Sequence, residues 1–158
     1  MNSALNTSVP GWADYLAYLG VRDPKFDETG TLELAIGGRL RLLCRLNGEH
    51  LVLTARIGSL AGVAPSQRED VLARVLQLCG HHLYERLESP ALSADGTTLT
   101  LQRWLASPEL DKDGFVDAFS TFIDAVLTWR DWWKRISGTW PEYNSNPNMQ
   151  STRLMKGA

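Results

Sequence analysis

The stretch RLRLLCRLNGEHLVLTARI, residues 39–57, decides how this chain folds. Leu40, Leu42, Cys44 and Leu46 alternate with Arg39, Arg41, Leu43 and Arg45. Successive strand side chains point to opposite faces, so the alternation predicts a strand with an apolar inner face and an arginine-rich outer face. Asn47-Gly48 is the residue pair favoured in a type I′ turn, where both central residues need positive φ. Beyond it, Leu51, Leu53, Ala55 and Ile57 carry the apolar face onto a second strand and leave Val52 outward. Upstream, TLELAI places Leu32, Leu34 and Ile36 on one face, and Gly37-Gly38 supplies another tight turn. The expectation is a three-stranded antiparallel meander with one face for the core.

Helical spacing flanks this block. Trp12, Tyr15, Leu16 and Leu19 fit a short helix capped by Ser8 and stopped at Gly20. After Gly58, Gly62 and Pro65, Ser66 and Glu69 have capping-box spacing and open a helix over about 67–84. Its core row reads Val71 or Leu72, Val75, Leu76, Cys79 and Leu83, with Leu78 off the row. A strand within ERLESPALSA, the turn Asp95-Gly96 and the strand TLTLQRWL form a second hairpin. Asp111 opens the longest helix, which runs to about Ser137 and ends at Gly138. The order α-β-β-β-α-β-β-α gives an α+β fold, helices packed on antiparallel sheet. Residues 9–138 are expected to form one domain, with 1–8 disordered and 139–158 a flexible tail.

Four tryptophans fall in TWRDWWKRISGTW, residues 128–140. Phe115, Phe119, Phe122, Val126, Trp129, Trp133 and Ile136 make one helical stripe, with Val116, Ile123 and Leu127 on its flank. Opposite them Asp117, Asp124 and Asp131 recur on what must be the wet face. Trp129 and Trp133 therefore continue a core stripe, each ring contributing about 2–3 kcal/mol on burial. Trp132 and Trp140 are left open between core and contact surface.

Chemistry is harder to find. A net charge of −2, with Lys and Arg spread along the chain apart from Arg39, Arg41, Arg45 and Arg56, argues against nucleic-acid binding. Cys44 and Cys79 read as small apolar residues of a reducing compartment. No leader pattern and no apolar run of membrane-spanning length appears, so a cytoplasmic protein without membrane insertion is expected. Cys79, His81 and His82 lie at i, i+2 and i+3 on a helix and do not converge, whereas structural zinc needs four convergent ligands. His50 has no nucleophile to serve. Gly37-Gly38 joins two strands and opens no phosphate loop. Asp111, Asp113 and Asp117 fit helix capping rather than calcium binding. No catalytic constellation or cofactor site is assembled. What stands out is apolar residues in outward positions: Leu43, Val52, Leu78, and Trp12, Tyr15 and Tyr18 on the first helix. Together with open sheet edges they fit a protein that binds other polypeptides by strand addition.

The chain resembles the class I chaperones of bacterial type III secretion, from about Trp12 to Trp133. The similarity rests on YLAYLGV, FDETGTLELAI, VLARVLQLCGHHL, ADGTTLTLQRWL and FVDAFSTFIDAVLTWRDWW, with Phe122, Ala125 and Trp129-Arg130 as its ending. It departs at Cys79-Gly80-His81-His82, where an Asn-bearing sequence is common, and in the tail after Gly138. The resemblance implies a non-enzymatic cytoplasmic homodimer that uses no cofactor or nucleotide. It joins its copies through the middle helix and second hairpin, where Val71, Val75, Leu78 and Leu83 are candidates for the self-complementary patch. It also implies that the N-terminal segment of a secreted effector wraps the dimer in extended form, with Trp12, Leu16, Leu43 and Val52 as patch residues. A same-fold alternative sequesters a cytoplasmic regulator instead. In either case Arg39, Arg41, Arg45 and Arg56 fit an acidic stretch of a protein partner as well as a nucleic acid.

Overall fold

A computed structural model describes residues 11–82, 86–106 and 111–138. Ser8, the expected disordered start and tail, Leu83 and Trp140 lie outside these residues. Among the described residues three α-helices and five strands follow the expected order: α1 (Trp12–Tyr18), β1 (Thr31–Ile36), β2 (Leu40–Asn47), β3 (His50–Ser59), α2 (Arg68–His82), β4 (Ser89–Leu92), β5 (Thr98–Ala106) and α3 (Lys112–Ile136).

The meander and the second hairpin join in one sheet. β5 pairs antiparallel with β3, giving the strand order β1-β2-β3-β5-β4. Period-two alternation then sorts every strand. Leu40, Leu42, Cys44, Leu51, Leu53, Ala55 and Ile57 are buried on the inner face, while Arg41 and Arg45 are exposed on the outer one. Register lines up Leu42, Ala55 and Leu101 across three strands beneath α3. Burial pushes the Cys44 thiol up to about 12, which leaves it an inert core group.

α3 is built as its sequence dictates. Asp111 Oδ1 accepts from the Gly114 N–H at 2.7 Å at the N-cap, and Gly138 follows the C-cap with φ 68°. Phe115, Phe119, Phe122, Val126, Trp129 and Trp133 are all buried against the sheet. Trp129 and Trp133 are core. Trp132 is half-buried: its ring stacks on His82 at 5.4 Å, lies under the Arg86 guanidinium at 5.4 Å and meets Trp129 edge-on at 5.3 Å. Two arginines tie α3 to the sheet. Buried Arg103 donates to the Ala118 carbonyl at 3.1 Å, and Arg130 donates to the Arg56 carbonyl at 3.0 Å.

The expected capping box at Ser66 is replaced by a 3-10 turn, Pro65–Gln67, that runs into α2. Pro65 starts this turn, since it has no N–H to leave unpaired. α2 also turns a different leucine outward than expected. Val71 and Val75 are buried, Leu78 is half-buried against the core, and Leu76 is 70% exposed.

Two aspartates organise turns. Asp27 Oδ1 accepts from the Thr29 N–H and hydroxyl and from the Thr31 N–H. Asp95 Oδ1 accepts from the Ser93 hydroxyl and from the Thr97 N–H and hydroxyl. The Thr29 hydroxyl, with the Thr31 N–H, lowers the Asp27 pKa; the Ser93 hydroxyl, with Thr97, lowers that of Asp95. A carboxylate held low in the folded state stabilises fully above its ordinary value of about 4, and the contribution is lost as pH falls through the folded value. Urea unfolding across that acid range should show a shallower loss of stability for the D27N/D95N double variant than for the parent.

Candidate functional site

The register assembles the outer sheet face from short side-by-side rows. Leu43 lies beside Glu33 on one side and Thr54 on the other, and Thr54 beside Gln102. One row along, Arg45 pairs with Val52, and Val52 with Trp104. The His50 and Trp104 rings meet edge-on at 5.8 Å. α3 takes the opposite face, so this one stays open among the described residues: Leu43 is 43% exposed and Trp104 54%. A leucine and a tryptophan held in the open by a rigid sheet are the kinds of side chain that anchor protein-binding surfaces. β1, beside the strand of Leu43, and β4, beside the strand of Trp104, are the two edge strands. Asp27 holds Thr31 at the start of the β1 edge, and beyond it no strand pairs with that edge among the described residues.

The structure redistributes the residues expected to form this site. Leu43 is where the alternation placed it. Val52 points to the outer face but is only 7% exposed, because its cross-strand neighbours Arg45 and Trp104 are large enough to close over it. Trp12 and Leu16 are corrections. Both are fully buried in the core, with Trp12 packed 5.8 Å from Phe115, so neither presents a docking surface. The short helix has one apolar side, and α3 consumes it. Trp104 was missed, although its signal was present: Leu99, Leu101 and Leu105 face inward, which puts Trp104 outward by parity.

A second group of apolar side chains belongs to α2 and to the segment that leads into and through β4. Val71 and Val75, expected to contact a second copy, are buried in their own chain, which is a correction for both; Leu78 is half-buried. The open apolar side chains are instead Leu76, Leu87 at 76% exposed and Leu92.

Acid–base and metal chemistry find no comparable arrangement. His82 is occupied in its stack with Trp132, His81 is exposed, and burial raises the Cys79 thiol. Among the described residues, no three His, Cys, Asp or Glu side chains gather as metal ligands. A cleft of about 420 Å³ between α3 and the second hairpin contains Glu88, Arg103 and Asp124. The Glu88 carboxylate is engaged there by Arg86 at 3.0 Å. No helix among the described residues is long and apolar enough to cross a membrane.

Comparison with solved structures finds the same fold repeatedly. A chain of the HopA1–SchA chaperone–effector complex is 16% identical with a TM-score of 0.58, the match covering 75% of this chain and 89% of that one. A chain of the ExsC–ExsE complex is 16% identical with a TM-score of 0.60, covering 75% and 87%. A chain of the heterodimeric ExoU–SpcU complex, from the type III secretion system of Pseudomonas aeruginosa, is 18% identical with a TM-score of 0.53, covering 80% and 95%. Sequence comparison with curated proteins gives no match. Residues 13–130, from α1 almost to the end of α3, match the family described as Tir chaperone protein (CesT), and the chain belongs to that family of type III secretion chaperones.

Proposed function

We propose that the chain is a cytoplasmic effector chaperone that acts as a homodimer, without catalysis or nucleotide. It holds the N-terminal segment of a secreted protein extended and ready for export. The observation that carries this reading is the open outer face, with Leu43 next to the β1 edge strand and Trp104 on the far side of the same face. An extended segment can add backbone hydrogen bonds at the edge while its side chains fill the apolar face. Similarity to a chain of a complex named as chaperone–effector supports the same reading. Ordering a disordered partner costs about 2–5 kcal/mol, so a large wrapped surface is needed, and two copies double what one offers.

The second copy docks on the α2 and β4 surface. In a symmetric dimer each substitution counts twice. Leu76→Asp should therefore weaken dimerisation by about 100-fold or more, two buried leucines each giving way to a desolvated charge. Light scattering of the purified variant should give the mass of one chain where the parent gives two. An unchanged dimer mass would place the interface elsewhere.

The function is tested by affinity capture of the tagged full-length chain from its native cells, with bound proteins identified by mass spectrometry. Strong enrichment of one secreted protein is the expected result. Enrichment of a cytoplasmic regulator would convert the reading to sequestration by the same fold, and no enriched protein would contradict it.

A further inference from the structure

Arginines are concentrated on or beside the outer sheet face. Arg41 and Arg45 stand on β2 at two-residue steps either side of Leu43, Arg56 stands on β3, and Arg39 lies in the turn before β2. The hydrogen bond from Arg130 to the Arg56 carbonyl brings a fifth guanidinium to the same end of the sheet. Burial, and then the Arg56 charge, press the Arg130 pKa down. Of these five, only Arg41 has a carboxylate partner among the described residues, Glu33 at 3.1 Å.

The chain as a whole carries a net charge of −2, so positive charge has been separated here rather than being abundant. Acid is displayed elsewhere, as in the exposed Asp117, Asp124 and Asp131 of α3. Crowded guanidiniums without counter-charges add nothing to the stability of a lone chain, and they favour an anionic partner.

We infer that the outer face recognises an extended acidic polypeptide segment, with apolar side chains seated at Leu43 and at Trp104 and neighbouring carboxylates paired with Arg41, Arg45 and Arg56. The inference rests on the chaperone reading and specifies the chemistry of the client. Spacing supports it. In an extended partner, residues two apart share a face, so an acid-x-apolar-x-acid segment matches the Arg41, Leu43, Arg45 ladder in register. Carboxylate and guanidinium pair by two parallel hydrogen bonds, which adds geometric selection to charge. A phosphate backbone is the poorer match, since it requires continuous positive charge. Here Glu33 and Glu49 interrupt the patch and leucine, valine and tryptophan occupy its middle.

The test uses the full-length chain and two fluorescein-labelled synthetic peptides. One repeats Glu-Ser-Leu-Ser, the other Lys-Ser-Leu-Ser, and poly-uridylate serves as a non-peptide polyanion. Fluorescence anisotropy should show the glutamate peptide binding about tenfold tighter or more, with the preference erased near ~0.5 M salt. In the Arg41→Glu, Arg45→Glu, Arg56→Glu variant the preference should invert, while circular dichroism melting stays that of the parent. Equal binding of the two peptides, no binding of either, or an unchanged preference in the variant overturns the inference. So does displacement of the glutamate peptide by poly-uridylate at comparable concentration.

The two readings fail separately. If the arginine variant still captures the same cellular partner as the parent, the acidic-client inference falls and the chaperone reading stands. If the parent captures no partner, the chaperone reading itself falls.

Discussion

Replacing Gly58 with alanine is expected to destabilise the protein by about 3 kcal/mol, the upper end of what overpacking a rigid core costs. Gly58 closes a register shift in β3: pairing runs as far as Arg56, skips Ile57 and resumes with Gly58 opposite Leu99. The Trp133 indole lies directly on it, and a Cβ there would approach the ring closer than 3.0 Å. Flexible side chains yield to such a clash, but Trp133 is buried and carried by a 25-residue helix. Relief therefore requires α3 to lift from the sheet or the bulge to unwind. Against a typical domain stability of about 5–15 kcal/mol, the loss is severe. Urea denaturation checks the magnitude. A double-mutant cycle checks the cause, because G58A in a W133A background should cost much less than G58A alone.

The L43D/W104D double variant is expected to lose about 100-fold or more in affinity for the captured partner. Exposed aromatic and aliphatic anchors at the centre of an interface each contribute about 2 kcal/mol or more when truncated, and a carboxylate adds its own desolvation cost. Leu43 is open in the free chain and its change should be nearly neutral for the fold, while loss of Trp104 uncovers Val52, so the double variant should lose about 1–2 kcal/mol of stability and stay folded. Val52 provides the internal contrast. It lies between the two in the same face yet is buried, so V52D should unfold the protein rather than selectively lose the partner. Titration of purified partner, with thermal melting in parallel, separates the two outcomes.

Much of the fold was legible from local rules. Strand parity placed Leu42, Cys44, Leu53 and Ala55 inward, and the Asp111 cap and the Gly138 stop bounded α3. What escaped depends on which neighbour covers which face. On α2, Val71-Val75-Leu78 and Leu72-Leu76-Cys79 are both proper helical stripes. Only the packing of α2 against α3, including the His82–Trp132 stack, buries the first and exposes Leu76. On α1, no local signal distinguishes an apolar side kept for a partner from one taken by Phe115. Val52 was outward by parity but hidden by the size of its cross-strand neighbours, which only the register reveals. The pairing of β5 with β3 also lay beyond local pattern, since it joins segments some forty residues apart in sequence.

Hydrogen exchange of the chain, alone and bound to its captured partner, tests the central claim most directly. Strand addition and docking on the outer face predict slowed exchange along Thr31–Ile36, with further protection on β2 and β5 around Leu43 and Trp104. The acidic face of α3 should be unchanged. Protection confined to α3, with β1 exchanging as fast in the complex as alone, would contradict the account.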